Sequence, residues 1–345
     1  MHTVILSAPE IAQILRKVGR DAFMDEMMER LSDGFRALGE GRLATSPARS
    51  GFVRESNGTG VLEWMPHHAP GDSATLKVVG YTPSNAATSA LPTIIGTVSR
   101  YDDATGRLTA LADAVVLTAL RTGAASALAS SVLARRDSRV VGLIGTGAQA
   151  VSQLHALSRV FDIERVLVHD IDRDNADSFL IRSKFLGLDV RTAPPETIAA
   201  QADIICTATT TEVGAEPVFP DRDMLGHVHV NAIGADLPGK TELPVELLRR
   251  ALVCPDHREQ AVKEGECQRL APEEIGPELA TLIAEPERAE AARDTPTVFD
   301  STGFALEDHI ALDVLLGFAA QLGLGTAIEV EYHPSDALNP YPDEA

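Results

Sequence analysis

The pattern of apolar and polar positions changes period along the chain, and each change predicts a different element. Over residues 8–38 apolar side chains recur at helical spacing. Ser7 stands at the cap position, and Glu10, three residues on, completes a capping box. Between 60 and 101 the period shortens. GVLEWMP, ATLKVVGYTP and TIIGTVSRY are short, rich in β-formers and bounded by Pro and Gly, which predicts strands. YDDATGRLTALAD continues as a hairpin turning at DDATG, and an Ala-rich helix is expected over 113–136. From Arg139 apolar runs alternate with helical runs. Strands are predicted at 139–145, 164–170, 188–192, 203–208, 227–234, 251–254 and 296–300. A long helix over 304–322 follows, then one more strand near 328–333 in EVEYHP.

Such alternation implies parallel strands joined by crossover helices, an α/β doubly wound sheet of the Rossmann type. The last strand is expected to rejoin the first region. The chain therefore reads as a nucleotide-binding domain, 123–317, inserted between the N- and C-terminal parts of an α+β domain, 1–122 plus 318–345. At 345 residues the chain is long enough for two domains.

Gly145-Thr146-Gly147-Ala148-Gln149-Ala150 is a G-x-G-x-x-A pattern between a predicted strand and a predicted helix. Gly145 permits the tight turn. Gly147 lets the backbone N–H groups of a helix N-terminus approach a pyrophosphate, and Ala150 allows close helix–strand packing. The next strand, RVLVHDID, ends in Asp170, 25 positions after Gly145. An acid there accepts hydrogen bonds from ribose hydroxyls and repels a 2′-phosphate, which favours NAD over NADP. Asp172 competes for the role, and both acids also suit a turn or a cap. Thr207 and Thr209, in CTATTT, fall at the carboxyl edge of the same sheet, where such folds bind ligands; an ordinary polar loop reads the same way.

NAIGADLPGKTELP, 231–244, brings a further loop to that edge. Asp236 sits there among glycines and apolar residues, a setting for proton transfer as well as for a turn. Lys240 is a candidate cofactor contact or a surface lysine. In the first region Arg49, Glu63, Lys77 and Arg121 interrupt small or apolar stretches. An unpaired cation in ATLKVVG is costly to bury, so Lys77 needs a reason to be there. Converging cations bind a carboxylate well, and Glu63 can face an ammonium; structural ion pairs are the alternative.

Composition narrows the field. A net charge of −20 argues against nucleic acid or an anionic membrane as partner. Cys206, Cys254 and Cys267 are odd in number and widely spaced. They predict no disulfide framework and no metal site, and a reducing cytoplasm is the expected setting. The N-terminus carries no signal-peptide pattern, and no run approaches the ~18 apolar residues of a membrane helix.

GVLEWMP, TLKVVGY, LPTIIGTV, the LRTGA at 120–124, GLIGTGAQA, NAIGADLPGKTELP, EGECQRL and VFDSTGFALEDHIAL together resemble the ornithine cyclodeaminase/μ-crystallin family, in order and over nearly the whole chain. WMPH, VGYTPSN, RYDD, LRTGAASALAS and the ending DALNPY are most similar to its bacterial lysine cyclodeaminase subgroup. The resemblance implies an NAD-binding Rossmann domain and a second domain, built from both chain ends, that forms a homodimer and supplies substrate contacts. It implies that Arg49, Lys77 and Arg121 hold a substrate carboxylate, that Glu63 contacts an amine, and that Asp236 is the catalytic acid/base. It also places Thr122, Ala148, Gln149, Lys240 and Ser301 with the glycine loop and Asp170 around the cofactor. The implied activity is conversion of L-lysine to L-pipecolate and ammonia with NAD recycled. Conversion of L-ornithine to L-proline, a ketimine reductase or amino-acid dehydrogenase, and a small-molecule binding protein are the alternatives. From the family's layout Val61, and Leu91 or Ile94, are expected in the pocket wall.

Overall fold

The computed structural model describes residues 2–54, 60–339 and 341, with only the backbone of Ala86 and Ala87. Pro340, in the DALNPY ending, lies outside the described residues. Two seven-stranded sheets organise the chain. The first takes its strands from both chain ends. In order come β1 (Thr3–Leu6), α1 (Ala8–Val18), α2 (Arg20–Gly39), β2 (Ser50–Arg54), β3 (Gly60–Ala69), β4 (Ser73–Tyr81), the short α3 (Asn85–Thr88), β5 (Ile94–Asp102) and β6 (Leu108–Asp113). The chain then enters α4 (Val115–Leu133) and the second sheet.

That sheet opens with β7 (Val140–Ile144), α5 (Ala148–Ser158), β8 (Arg165–His169), α6 (Arg173–Arg182), β9 (Val190–Thr192), α7 (Pro195–Gln201) and β10 (Ile204–Thr207). It continues through β11 (His229–Ala232), α8 (Val245–Arg250), β12 (Leu252–Pro255), α9 (Arg258–Glu264), α10 (Leu279–Ala284), α11 (Glu287–Glu290) and β13 (Thr297–Asp300). The chain returns through α12 (Ala305–Leu322) to β14 (Thr326–Ile328), which pairs antiparallel with β1. The second sheet is parallel throughout, in the order β12-β13-β11-β10-β7-β8-β9. Its order reverses beside β7, the place where open α/β sheets bind ligands.

All seven strands predicted after Arg139 form. At the chain ends two expectations are corrected. The stretch 8–38 is two helices, because Gly19 at φ +90° cannot continue the first. Ser7 donates its N–H and its hydroxyl to the Glu10 carboxylate at 2.8 and 2.6 Å, as the capping pattern anticipated. The last strand lies at 326–328 rather than 328–333, because β1 is so short that its ladder ends at Thr3↔Ile328. Glu331 beyond it turns back and accepts the Leu108 N–H at 2.6 Å. The DDATG turn forms with Gly106 at φ +73° and the Thr105 N–H on Asp102.

α4 also corrects the expectation that no run is apolar and long enough for a membrane. At 19 residues it is, but two-thirds of it is buried within the fold. Its neighbour α5 approaches so closely at Gly123 that a Cβ there would lie 2.5 Å from the Ser152 carbonyl oxygen.

Candidate active site

The glycine loop joins β7 to α5. Gly145 takes φ +86°, and a Cβ on it would meet the Ala208 carbonyl at 2.5 Å, so only glycine closes this turn. A Cβ on Gly147, the N-cap of α5, would meet nothing within 4 Å. The first N–H groups of α5 have no capping side chain, an arrangement suited to an anion. Asp170 leaves β8 beside the loop. Its Oδ2 accepts the Thr146 N–H at 2.8 Å and the Thr146 hydroxyl at 2.9 Å, and its Oδ1 accepts the Asp172 N–H at 2.9 Å. Oδ1 keeps a lone pair for a further donor. Asp172 instead caps α6 through the Asp174 N–H.

On the other side of this edge a cavity opens between the two sheets. Arg49, Glu63, Lys77, Arg121, Thr122, Gln149, Asp236 and Ser301 line it, with Met65, Val79, Tyr81, Ile94 and Ile233 as apolar or aromatic wall. The spacing of Glu63 on β3 and Lys77 and Val79 on β4 puts all three on the face that α12 covers. Of the expected wall residues Ile94 is there. Val61 is buried outside the lining and Leu91 is half exposed on the opposite face, beside a larger cavity of about 560 Å³.

The cations have partners the sequence did not announce. Lys77 Nζ lies 2.9 Å from Asp308 Oδ1, and Arg121 Nη1 donates to Glu307 Oε2 at 2.7 Å. Arg49 donates through Nε to Glu264 Oε1 at 2.6 Å and through Nη2 to the Asp236 carbonyl at 3.0 Å, with Glu63 Oε1 at 3.5 Å from Nε. Lys240, expected beside the cofactor, puts Nζ 2.8 Å from Asp236 Oδ1 and over the Tyr81 ring at 5.2 Å.

Burial dominates the titration of these groups. It pushes Lys77 down to about 8 despite Asp308, and pushes Glu307 up to about 8 despite Arg121. It raises Glu264 to about 7 against the opposing charge of Arg49, with Glu63 and Asp236 adding to the rise. Glu63 is raised for the same reason.

Buried carboxylates also tie the edge loops together. Glu242 accepts the Thr207 hydroxyl at 2.6 Å and the N–H groups of Thr209 and Gly234 at 2.7 and 2.9 Å. The Thr209 hydroxyl joins it at 2.6 Å, so both threonine side chains hold Glu242. Glu266 accepts the Glu242 N–H, Asp300 accepts those of Glu266 and Cys267, and Asp256 accepts those of His257 and Gly303. Ser301 lies 3.5 Å from Asp256 and lines the cavity; Thr122 does too, its hydroxyl on the Thr118 carbonyl. Among the described residues no group of His, Cys, Asp and Glu has a metal-holding arrangement, and the three cysteines are buried and unpaired.

Glu264, Glu307, Asp308 and Glu242 escaped the sequence reading. Glu307 and Asp308 carried one usable signal: two adjacent acids inside the apolar run of ALEDHIAL are as costly to bury as Lys77.

The fold and this edge define a dinucleotide-binding α/β protein with a charged cavity, and residues 10–318 match the ornithine cyclodeaminase/mu-crystallin family; the chain belongs to it. An L-lysine cyclodeaminase from Streptomyces rapamycinicus is 50% identical over 341 residues, 99% of each chain. A solved structure of a lysine cyclodeaminase, from work on its recognition of L-lysine, L-ornithine and L-2,4-diaminobutyric acid, superposes with a TM-score of 0.98 at 54% identity, covering 99% of each chain. An archaeal alanine dehydrogenase dimer with bound NAD follows at 0.86 and 33%, covering 96% of this chain and all of that one.

Proposed function

We propose that the chain is an L-lysine cyclodeaminase, converting L-lysine to L-pipecolate and ammonia with NAD restored at the end of each cycle. The observation that carries this is the single cavity in which Arg49, Lys77 and Arg121 stand with Glu63 and Asp236 at the carboxyl edge of the parallel sheet. The full-length relative with that activity supports the choice of substrate.

The glycine loop fits a dinucleotide. Gly145 closes the turn, the uncapped N–H groups at the start of α5 suit a pyrophosphate, and Asp170 can accept a ribose hydroxyl. Thr122 and Ser301, which line the cavity, would hold its reactive end, and Thr207 and Thr209 would act through Glu242. NAD held there would supply a hydride acceptor and, once reduced, the matching hydride donor.

The chain's own residues do the rest. Arg49, Lys77 and Arg121 hold the substrate carboxylate, Arg through its fork. Glu63 faces the terminal ammonium. Asp236 takes a proton from the α-ammonium and later delivers one to the departing nitrogen, with Lys240 fixing its Oδ1. Enclosure folds the diamino acid so that its terminal nitrogen reaches Cα within one molecule, which removes the entropic cost of a bimolecular encounter. L-Ornithine would give the five-membered ring; one methylene in such a pocket is worth about 1–3 kcal/mol.

L-Lysine with catalytic NAD tests the reading. Pipecolate and ammonia should form in equal amounts with no net NADH, faster than L-ornithine is consumed. NADH accumulating in step with lysine loss would overturn it.

The substrate and dimerisation unit is 1–122 with 318–345, and the dinucleotide unit 123–317; both limits fall within helices, α4 and α12, that pass between the sheets. The enzyme acts as a homodimer in the cytoplasm, a setting in keeping with three free thiols.

A further inference from the structure

Arg49 spends its donors away from the cavity-facing acid. Nε–H points at Glu264 Oε1 (2.6 Å), Nη1 at the Thr302 carbonyl (3.3 Å) and Nη2 at the Asp236 carbonyl (3.0 Å). Glu63 Oε1 lies 3.5 Å from the same Nε, whose single hydrogen cannot serve both carboxyls. Two acids, Glu264 buried and Glu63 partly buried, thus share one guanidinium. The one facing the cavity, Glu63, has no closer charged partner among the described residues.

In the cyclodeaminase reading, on which this inference rests, the terminal ammonium enters without a lone pair. It must lose a proton before it can attack. We propose that Glu264 is a positioning residue: by holding the Arg49 guanidinium at the back of the cavity, it leaves Glu63 as the base that takes this proton. In the step an N–H bond of the ammonium breaks and an O–H bond forms on Glu63. The freed pair bonds to Cα, and the π pair of the Cα–N bond moves to the α-nitrogen. No oxidant or reductant is consumed in it. Glu264 faces Arg49, Glu63 and Asp236; Glu63 faces Arg49, Asp236 and Lys77. Burial raises both carboxyls, which makes a better base near neutral pH than an exposed glutamate.

Glu264→Gln keeps the shape and removes the charge, so Glu63 becomes the one carboxylate within reach of Arg49 Nε. In a crystal structure of the variant the guanidinium should close on Glu63, to about 3 Å. Turnover of L-lysine should fall about tenfold or more, while NADH-dependent reduction of the six-membered cyclic imino acid, which shares the Arg49 carboxylate contact but has no terminal ammonium to deprotonate, should fall clearly less. The acid limb of the kcat/KM profile for lysine should move to lower pH, as Arg49 stabilises ionised Glu63. Equal losses in the two reactions, or an unmoved guanidinium, would overturn the proposal. A native enzyme that reduces the cyclic imino acid but leaves lysine untouched would defeat the cyclodeaminase reading instead.

Discussion

Asp236 and Lys240 show what a single residue's surroundings add to its identity. In sequence each is one polar position in a glycine-rich loop. In the fold the amine, almost wholly buried, lies 2.8 Å from the carboxylate and is backed by Tyr81. Asp236→Asn keeps the size of the side chain and removes its ability to accept a proton. Its turnover of L-lysine should fall by about 10²–10⁴ with NAD affinity unchanged, since positioned acid/base groups contribute on that scale. Titration calorimetry and steady-state rates check both halves, and near-normal turnover would remove Asp236 from the mechanism. Arg49, Lys77 and Arg121 were legible because a cation in an apolar stretch needs explaining. Glu264, Asp308 and Glu307, which accept their hydrogen bonds, were not, because each lies roughly 190 to 230 positions away in sequence, and pairing over that distance leaves no local pattern.

Helices and strands were legible wherever their pattern ran long enough. The inner parallel strands β7, β10 and β13 are short, mostly apolar and buried, as strands covered on both faces must be. β1 and β14, of four and three residues, carry too little pattern to be placed from sequence; β1 is set by pairing with β6 as well as β14, and β14 by pairing with β1. The approach of α4 to α5 was equally invisible. Gly123 reads as one small residue among alanines, yet it sets how near α5, and so the glycine loop, comes to the helix behind it. Gly123→Val would push the two helices apart. Overpacking of this kind costs about 1–3 kcal/mol, so Tm should fall and NAD should bind more weakly. Melting curves with and without NAD would show it; an unchanged curve would mean that α5 yields without cost.

Across the whole molecule the first sheet has one face under α12 and the other open. Phe52, Trp64, Leu91 and Ile95 are exposed around that open side, and the larger cavity adjoins it. Exposed apolar clusters of this extent mark association surfaces. A second copy of the chain is expected to pack on this face, and light scattering should then give twice the 36.7 kDa of one chain. Trp64→Glu should return the mass to that of a monomer, and a Trp64→Glu dimer would place the interface elsewhere.

The chain of buried carboxylates has a consequence for how such a protein can change. Glu242, Glu266, Asp300 and Asp256 each hold the backbone of a neighbouring loop, so the carboxyl edge of the sheet is one connected brace. A loop in it cannot be redrawn alone, because a changed length or path would leave its neighbour's buried acid without donors. Val79 and Ile94 belong to no part of that brace. New substrates would therefore be reached through the side chains of the cavity wall, while the loops that carry the chemistry are inherited together.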